Sequence, residues 1–225
     1  MTKRHSNKIF IAILVIVIVV LALIIFFVGS QPTQGATPGV KVGDEFVYDI
    51  RGFWSATDPS TQMPETFLQL NMTEAYRITV TKVSGPEVSI AAIWRFTNGT
   101  EFKGTGTINV ATGMYSPTEG FWAIYGANFK ANDRIRPLGI DRAYVNETIN
   151  LNYPSGTREI NRVSLIREYV DANDTSSTWT EYISINFDKK TGMLVDLLDR
   201  SVYSNPQQTL TITWKLKESN VWTVS

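Results

Sequence analysis

Side chains that carry most enzymatic chemistry are scarce in this sequence. None of its 225 residues is a cysteine, and its single histidine, His5, precedes a long apolar segment. Thiolate nucleophiles, disulfides and cysteine-ligated zinc are therefore excluded, and the chain after the apolar segment cannot hold a Ser-His-Asp triad. A zinc hydrolase is not expected either, because such sites depend on histidine ligands.

Carboxylates are the remaining candidates for acid–base chemistry. A pair of Asp or Glu residues can hydrolyse a glycosidic bond without histidine, but these residues are scattered along the chain and no spacing selects a pair. Residues 171–175 (DANDT) and 188–192 (DKKTG) offer oxygen ligands for calcium, yet neither has the spacing of a calcium loop, and both are typical of ordinary turns. We predict no catalytic residue, no metal ligand and no cofactor.

Aromatic residues form two short clusters that could bind a ligand. Aromatic rings offer a large contact area at little cost in conformational entropy, so they suit the stacking of a sugar ring or contact with an acyl chain. The alternative is that the same rings close the ends of a β core. The candidate ligand-binding residues are Phe53 and Trp54 in one cluster and Phe121, Trp122 and Tyr125 in the other.

Four triplets match the acceptor sequence for N-glycosylation, Asn-X-Ser/Thr. They begin at Asn71, Asn98, Asn146 and Asn173. A polar β protein rich in Asn and Thr can produce such triplets by chance, but four in about 185 residues favour use of at least one in a host that glycosylates its envelope. Asn98 precedes Gly99 in a predicted tight turn, which restricts access to its side chain.

An unbroken apolar segment runs from Ile9 to Val28 and contains no charged, polar or helix-breaking side chain. A helix of that length spans roughly 30 Å, the thickness of the hydrocarbon core of a bilayer. Lys3, Arg4 and Lys8 precede it, so the positive-inside rule places the N-terminus in the cytoplasm and the rest of the chain outside the cell. We predict a retained single-pass anchor in the lipid bilayer.

A cleaved signal peptide is the alternative to an anchor. Its apolar region is usually about 7 to 15 residues long, which is shorter than this segment, although Val28, Gly29 and Ser30 could form a cleavage site. The predicted organisation is a basic cytoplasmic head (1–8), the anchor (9–28), a flexible linker rich in Gly and Pro (29–39) and an extracellular β domain (40–225).

The predicted exported part is slightly acidic. The head holds 3 of the 21 basic residues and none of the 21 acidic ones, which leaves 18 basic against 21 acidic residues and a net charge of −3. Nucleic acid is therefore not expected as a partner, because that binding requires clustered Lys and Arg.

Alternation of polar and apolar residues starts after the linker and predicts strands. Phe46, Tyr48 and Ile50 share one face of a first strand that we expect Gly52 to close, with a loop from Phe53 to Glu65. Residues 157–170 fit either a helical stripe or a strand, and the β-rich surroundings favour the strand.

Nine or ten strands joined by short turns predict antiparallel pairing. The fold class is mainly β, with one transmembrane helix followed by a curved antiparallel sheet (a half-barrel) or a two-layer β-sandwich, because a flat open sheet of that size would leave its apolar faces uncovered.

Several phrases in the exported part resemble a group of uncharacterised archaeal surface proteins that are membrane-anchored and β-rich. The resemblance rests on GVKVGDEFVY (39–48), NGT (98–100) with GTINVATG (106–113), DKKTGML (188–194) and ESNVW (218–222). These are signatures of turns and strands. The resemblance implies a surface location and a β-rich exterior domain, and it implies no catalytic residue.

Together these observations favour a non-catalytic surface protein. In the leading hypothesis the β domain binds a ligand outside the cell, either a lipid or other hydrophobic molecule, a glycan, or another envelope protein. The rival hypothesis is a structural envelope or filament-like component that associates through strand edges. A glycan hydrolase that uses two carboxylates is the third hypothesis.

Overall fold

The computed structural model describes residues 36–116, 123–139, 142–170 and 177–225. Residues 36–225 form one compact unit. The predicted anchor, Ile9 to Val28, lies outside the described residues, as do Phe121, Trp122 and Asn173. Among the residues that the structure describes, no helix has the length and apolar composition needed to cross a bilayer.

One large antiparallel sheet dominates the fold. Its ten strands are β1 (Glu45–Ala56), β2 (Thr73–Ser84), β3 (Glu87–Phe96), β4 (Glu101–Asn109), β5 (Tyr115–Ser116), β8 (Glu147–Tyr153), β9 (Gly156–Val170), β10 (Thr178–Asp188), β11 (Leu194–Ser204) and β12 (Gln207–Ser219). They pair in the order β5-β4-β3-β2-β1-β12-β11-β10-β9-β8, and the sheet does not close. This confirms the predicted mainly β, antiparallel class.

The topology places the first and last strands side by side in the middle. From β1 the chain proceeds by antiparallel neighbours to one edge of the sheet, crosses over, enters the other edge at β8 and returns to the centre as β12. The crossing segment includes a small second sheet of β6 (Arg134–Ile135) and β7 (Ala143–Tyr144). Each step except this crossing joins neighbouring strands, which is why short turns dominate the sequence.

The first strand is longer than its sequence predicts. Gly52 does not end β1, which continues to Ala56 through pairs with β12 such as Phe53 with Thr211. The predicted loop from Phe53 to Glu65 is therefore wrong at both ends, because Glu65 begins a short helix, α1 (Glu65–Asn71). Gly52 is needed within the strand because the ring of Phe67 lies 2.7 Å from the position that a Cβ would take.

The ambiguous segment 157–170 is a strand, as predicted. It forms most of β9 and pairs with β10 from Ile160 to Val170, and with β8 from Gly156 to Arg162. Its apparent helical stripe mixes side chains from the two faces of one strand, since Val163 and Ile166 point to opposite sides.

The hydrophobic core lies against part of one face of the large sheet, and we call this whole face the inner face. Strands from both ends of the sheet contribute to a single core cluster. The covering layer comes from residues 123–139 and 142–145, including Ile124, Tyr125, Phe129, Ile135 and Val145. The buried inner-face residues are Phe46, Tyr48, Ile50, Ile78, Val80, Val88, Ile90, Ile108, Val163, Ile185, Phe187 and Leu216.

Candidate ligand-binding site

The inner face continues beyond its cover on five strands. Directly paired residues of an antiparallel sheet lie on the same face, so the register defines rows of side chains that cross β1, β12, β11, β10 and β9. We call the three rows farthest from the cover the open half. They are Gly52, Ile212, Asp199, Ile183 and Leu165; Trp54, Leu210, Ser201, Glu181 and Arg167; and Ala56, Gln208, Tyr203, Trp179 and Tyr169.

The open half is neither buried nor fully exposed. Every one of its residues except Gly52 is half-buried, whereas the inner-face residues under the cover are buried. The row nearest the cover is rich in aliphatic side chains, with Ile183 and Leu165 side by side and Ile212 on the other side of Asp199. Aliphatic groups of one sheet face that remain half-buried provide a surface on which an apolar molecule can be bound.

Stacked aromatic rings form the outermost row. The rings of Tyr169 and Trp179 are 4.8 Å apart and nearly parallel, and the rings of Trp179 and Tyr203 are 5.7 Å apart. The indole of Trp54 donates a hydrogen bond to Oε1 of Gln208 at 3.2 Å. These rings are held by their neighbours and present a rigid wall at the end of the strands.

A second series of aromatic rings continues the inner face towards β4. Trp214 contacts Tyr76 with a centroid distance of 5.2 Å, and Tyr76 contacts Trp94 at 5.7 Å. Next to Trp94 lies Phe102, whose ring is exposed. Gly104 has no described atom within 4 Å of its Cβ position, so the face is open beside these rings.

Helix α1 borders the open half at Gly52. The ring of Phe67 is buried against Gly52. Asn71, the last residue of α1, binds both backbone groups of Gly52, accepting from its N–H at 2.9 Å and donating to its carbonyl at 2.8 Å. Because β1 pairs with β2 only from Glu45 to Tyr48, Asn71 supplies the hydrogen bonds that a neighbouring strand would otherwise supply.

Three charged residues lie within the open half. Glu181 accepts a hydrogen bond from the Tyr169 hydroxyl at 3.0 Å and faces the guanidinium of Arg167 at 3.5 Å. Asp199 occupies the neighbouring row, between Ile212 and Ile183. Burial, with a smaller contribution from the charge of Glu181, raises the pKa of Asp199 to about 6, against the opposing effect of Arg167.

The three predicted aromatic site residues that the structure describes, Phe53, Trp54 and Tyr125, do not come together. Trp54 belongs to the open half, but Phe53 points to the opposite face, where it is 57% exposed, because successive side chains of a strand alternate. Tyr125 is buried in the core, stacked on Phe187 at 4.6 Å with the guanidinium of Arg136 over its other side. Tyr125 thus follows the alternative in which the aromatic residues serve packing.

Most residues of the open half were not singled out by the sequence. Alternation predicts that Leu210 and Ile212 share a face, and likewise Trp179 and Ile183, but the same pattern is expected for a buried core. A signal for the site would have been the length of β9 to β12, each of which has eleven residues or more. Such strands extend beyond the cover.

The glycosylation triplets differ in how their Asn side chains are used. The amide of Asn71 is engaged with Gly52 through both its oxygen and its nitrogen. Asn98 and Asn146 use only their side-chain oxygen in the hydrogen bonds found, accepting from the backbone N–H of Thr100 and of Ser164. Both residues are exposed, and the nitrogen that would carry a glycan points to no described acceptor.

The turn at 188–192 does not offer a free carboxylate. Both oxygens of Asp188 bind the guanidinium of Arg158, and Oδ1 also accepts from the backbone and hydroxyl of Thr191. Within the described ranges, no group of three or more His, Asp or Glu residues is placed to hold a metal ion.

A groove lies at the rim where β1 and β10–β12 begin or end, and its lining includes four residues of the outermost row of the open half: Ala56, Gln208, Tyr203 and Trp179. It has a volume of about 640 Å³, and none of its lining residues is charged. Ser55, Thr209, Val202 and Thr180 form one row of the face opposite to the open half. The groove is lined largely by hydroxyl and amide groups, which are well solvated, and it has no apolar floor comparable to that of the open half.

No protein-family model matches this chain, and no curated protein is significantly similar to it.

Proposed function

We propose that this protein is a membrane-anchored surface protein whose exported β domain binds an apolar or amphipathic molecule, without catalysis, on the open half of its inner face. The observation that carries the proposal is the division of one sheet face into a covered and an uncovered part. Ile185 lies under the cover and is 2% exposed, whereas Ile183, two residues away on the same face of β10, is half-buried.

Apolar side chains on an uncovered sheet face favour a ligand because contact removes their surface from water. Each square ångström of apolar surface buried contributes roughly 25 cal/mol. The aliphatic residues of the row nearest the cover and the aromatic rings of the outermost row offer such a surface, and stacking holds these rings in a fixed arrangement before any ligand arrives. A preformed apolar face with few polar groups is typical of small-molecule sites.

A neutral fluorescent probe tests this site directly. N-phenyl-1-naphthylamine, whose emission rises in apolar surroundings, should bind to the protein comprising residues 36–225. Leu210→Arg should weaken binding at least about tenfold, because it places a charge in the centre of the open half. The matched control is Thr211→Arg, which puts the same side chain on the opposite face of β12. Absence of probe binding, or equal binding by the two variants, would refute the proposal.

Location is tested in cells. If the segment from Ile9 to Val28 is a retained anchor with the β domain outside, protease added to intact cells should remove the C-terminal portion while the N-terminal head stays protected. Native purification followed by mass spectrometry should then find a co-purified lipid or other apolar molecule. A C-terminal portion that resists protease only while the cells are intact would place the domain on the other side of the membrane.

A structural envelope component is a second candidate, favoured by one free strand edge. Beyond Arg162, β9 pairs with β10 but has no described partner on its other side. Ile166 on this stretch is 70% exposed and Val170 is also exposed. An uncovered apolar edge can pair with another chain. Concentration-dependent filaments that disappear with Ile166→Lys would support this candidate, and a monomer at all concentrations would reject it.

A further inference from the structure

We propose that the ligand of the open half carries an organic cation, such as a primary or quaternary amine, that pairs with the carboxylate of Asp199. This inference rests on the proposed function, since it specifies the chemistry of the molecule bound at the same site.

The polar contacts within the open half leave one carboxylate without a partner. Glu181 is paired with Arg167 and accepts from the Tyr169 hydroxyl. Asp199 makes no hydrogen bond or ion pair through its side chain with any described residue, and it feels Glu181 and Arg167 only through longer-range charge interactions. The open half therefore has a net formal charge of −1, and the unbalanced charge is that of Asp199.

The surroundings of Asp199 make that charge costly. Its neighbours across the strands are Ile183 and Ile212, and on its own strand Leu197 and Ser201 share its face. Aliphatic neighbours exclude water from a carboxylate and do not hydrogen-bond to it, which is why burial raises the pKa of Asp199. A bound cation would restore the favourable interaction that water provides in solution.

An organic cation fits better than a metal ion or an anion. Calcium requires six to eight oxygen ligands and magnesium requires six, and no cluster of three or more acidic or His residues occurs in the part of the chain that the structure describes. An anionic headgroup would face a net negative patch, because the charge of Arg167 is already opposed by Glu181.

The test compares three probes that share one alkyl chain and differ in charge: octyltrimethylammonium, octanol and octyl sulfate. The full chain is placed in lipid nanodiscs, and binding is measured by the change in tryptophan fluorescence after subtraction of protein-free nanodiscs. Variants are Asp199→Asn and, as matched control, Asp196→Asn, which lies on the same strand but on the opposite face. Affinities are expressed against the free probe concentration in water, so that partitioning into the bilayer does not affect the comparison of probes or of variants.

The cationic probe should bind roughly five- to tenfold more tightly than octanol at pH 7.5, and octyl sulfate should bind most weakly. Asp199→Asn should remove the preference for the cation and leave octanol binding unchanged, while Asp196→Asn should behave like the original protein. Equal binding of cation and alcohol, or a preference that survives in Asp199→Asn, overturns the cation proposal and leaves the apolar site standing. If none of the probes binds, the proposed function itself fails.

Discussion

Arg158 and Asp188 form a two-point ion pair that joins β9 to the turn after β10. Nε and Nη2 of the arginine bind the two carboxylate oxygens at 2.7 and 2.8 Å, and the carboxylate is 1% exposed. The guanidinium also lies 4.0 Å from the ring centre of Trp222 near the end of the chain. This ion pair and the contact with Trp222 thus connect β9 to the turn at 188–192 and to the C-terminal segment.

Loss of either partner should therefore destabilise the β domain strongly. Asp188→Ala leaves the arginine side chain, itself 16% exposed, without its counter-charge, and we expect the free energy of unfolding in urea to fall by about 3–5 kcal/mol. The control is Arg162→Ala on the same strand, whose pair with Glu147 is about half exposed. It should cost at most about 1 kcal/mol. Similar losses for the two variants would contradict this assignment.

The carboxyl group of Asp199 should make stability depend on pH. Because its folded pKa, about 6, lies above its ordinary value, the folded state holds this proton more tightly than the unfolded state does. Stability from this group is therefore present at acidic pH and is lost as pH rises through about 4 to 6. At pH 7.5 the free energy of unfolding of Asp199→Asn should exceed that of the original protein by on the order of 1 kcal/mol. This figure is already reduced for the partial exposure of the carboxyl group.

The comparison is made by urea unfolding at two pH values. The advantage of Asp199→Asn at pH 7.5 should shrink at pH 4.5, where the native carboxyl group is mostly protonated. Asp196→Asn on the opposite face should show no such pH-dependent gain. A variant that gains stability at pH 7.5 while losing affinity for cations would show that Asp199 serves binding at a cost in stability.

Because Phe67 lies so close to Gly52, any larger side chain at position 52 should destabilise the fold. Gly52→Ala places a methyl group against the ring, and we expect a loss of about 1–3 kcal/mol in the free energy of unfolding. Gly104→Ala, on the same face of the sheet, has open space around its Cβ position and should change stability by less than about 0.5 kcal/mol.

A double-mutant cycle identifies the cause. In a Phe67→Ala background the ring is gone, so Gly52→Ala should cost little, and the two changes should not add. Additive losses would mean that the glycine is required for its backbone and not for space.

Glycan occupancy should follow the hydrogen bonds of the Asn side chains. In a host that glycosylates its envelope, peptide mapping by mass spectrometry should find glycans at Asn98 or Asn146 and none at Asn71, whose amide binds the backbone of Gly52. Asn71→Ala should cost about 1–3 kcal/mol, because it leaves the N–H and the carbonyl of Gly52 unpaired. Asn98→Ala, in an exposed turn, should cost less. A glycan found at Asn71 would contradict the observed contact.

Alternation of side chains was sufficient to predict the sheet but not the limits of every element. Val163 and Leu165 on β9, and Ile183, Ile185 and Phe187 on β10, follow a period of two that only a strand satisfies, so the strands and their antiparallel pairing could be predicted. Gly52 was misread as a strand end, because a local signal does not show that Phe67, fifteen residues later, packs against it. Phe53 and Trp54 were grouped as neighbours in sequence, although a strand sends them to opposite faces.

By itself the sequence excluded chemistry that depends on cysteine, which is absent, or on histidine, which does not occur after the apolar segment. It also determined the strands, because polar and apolar side chains alternate with a period of two residues. Only the tertiary structure decided which part of the inner face is covered. Ile185 and Ile183 have the same residue type, strand and face, yet one is buried and the other half-buried. The reason is that the cover comes from residues 123–139 and 142–145, and contacts between segments so distant along the chain are not visible in a local sequence pattern.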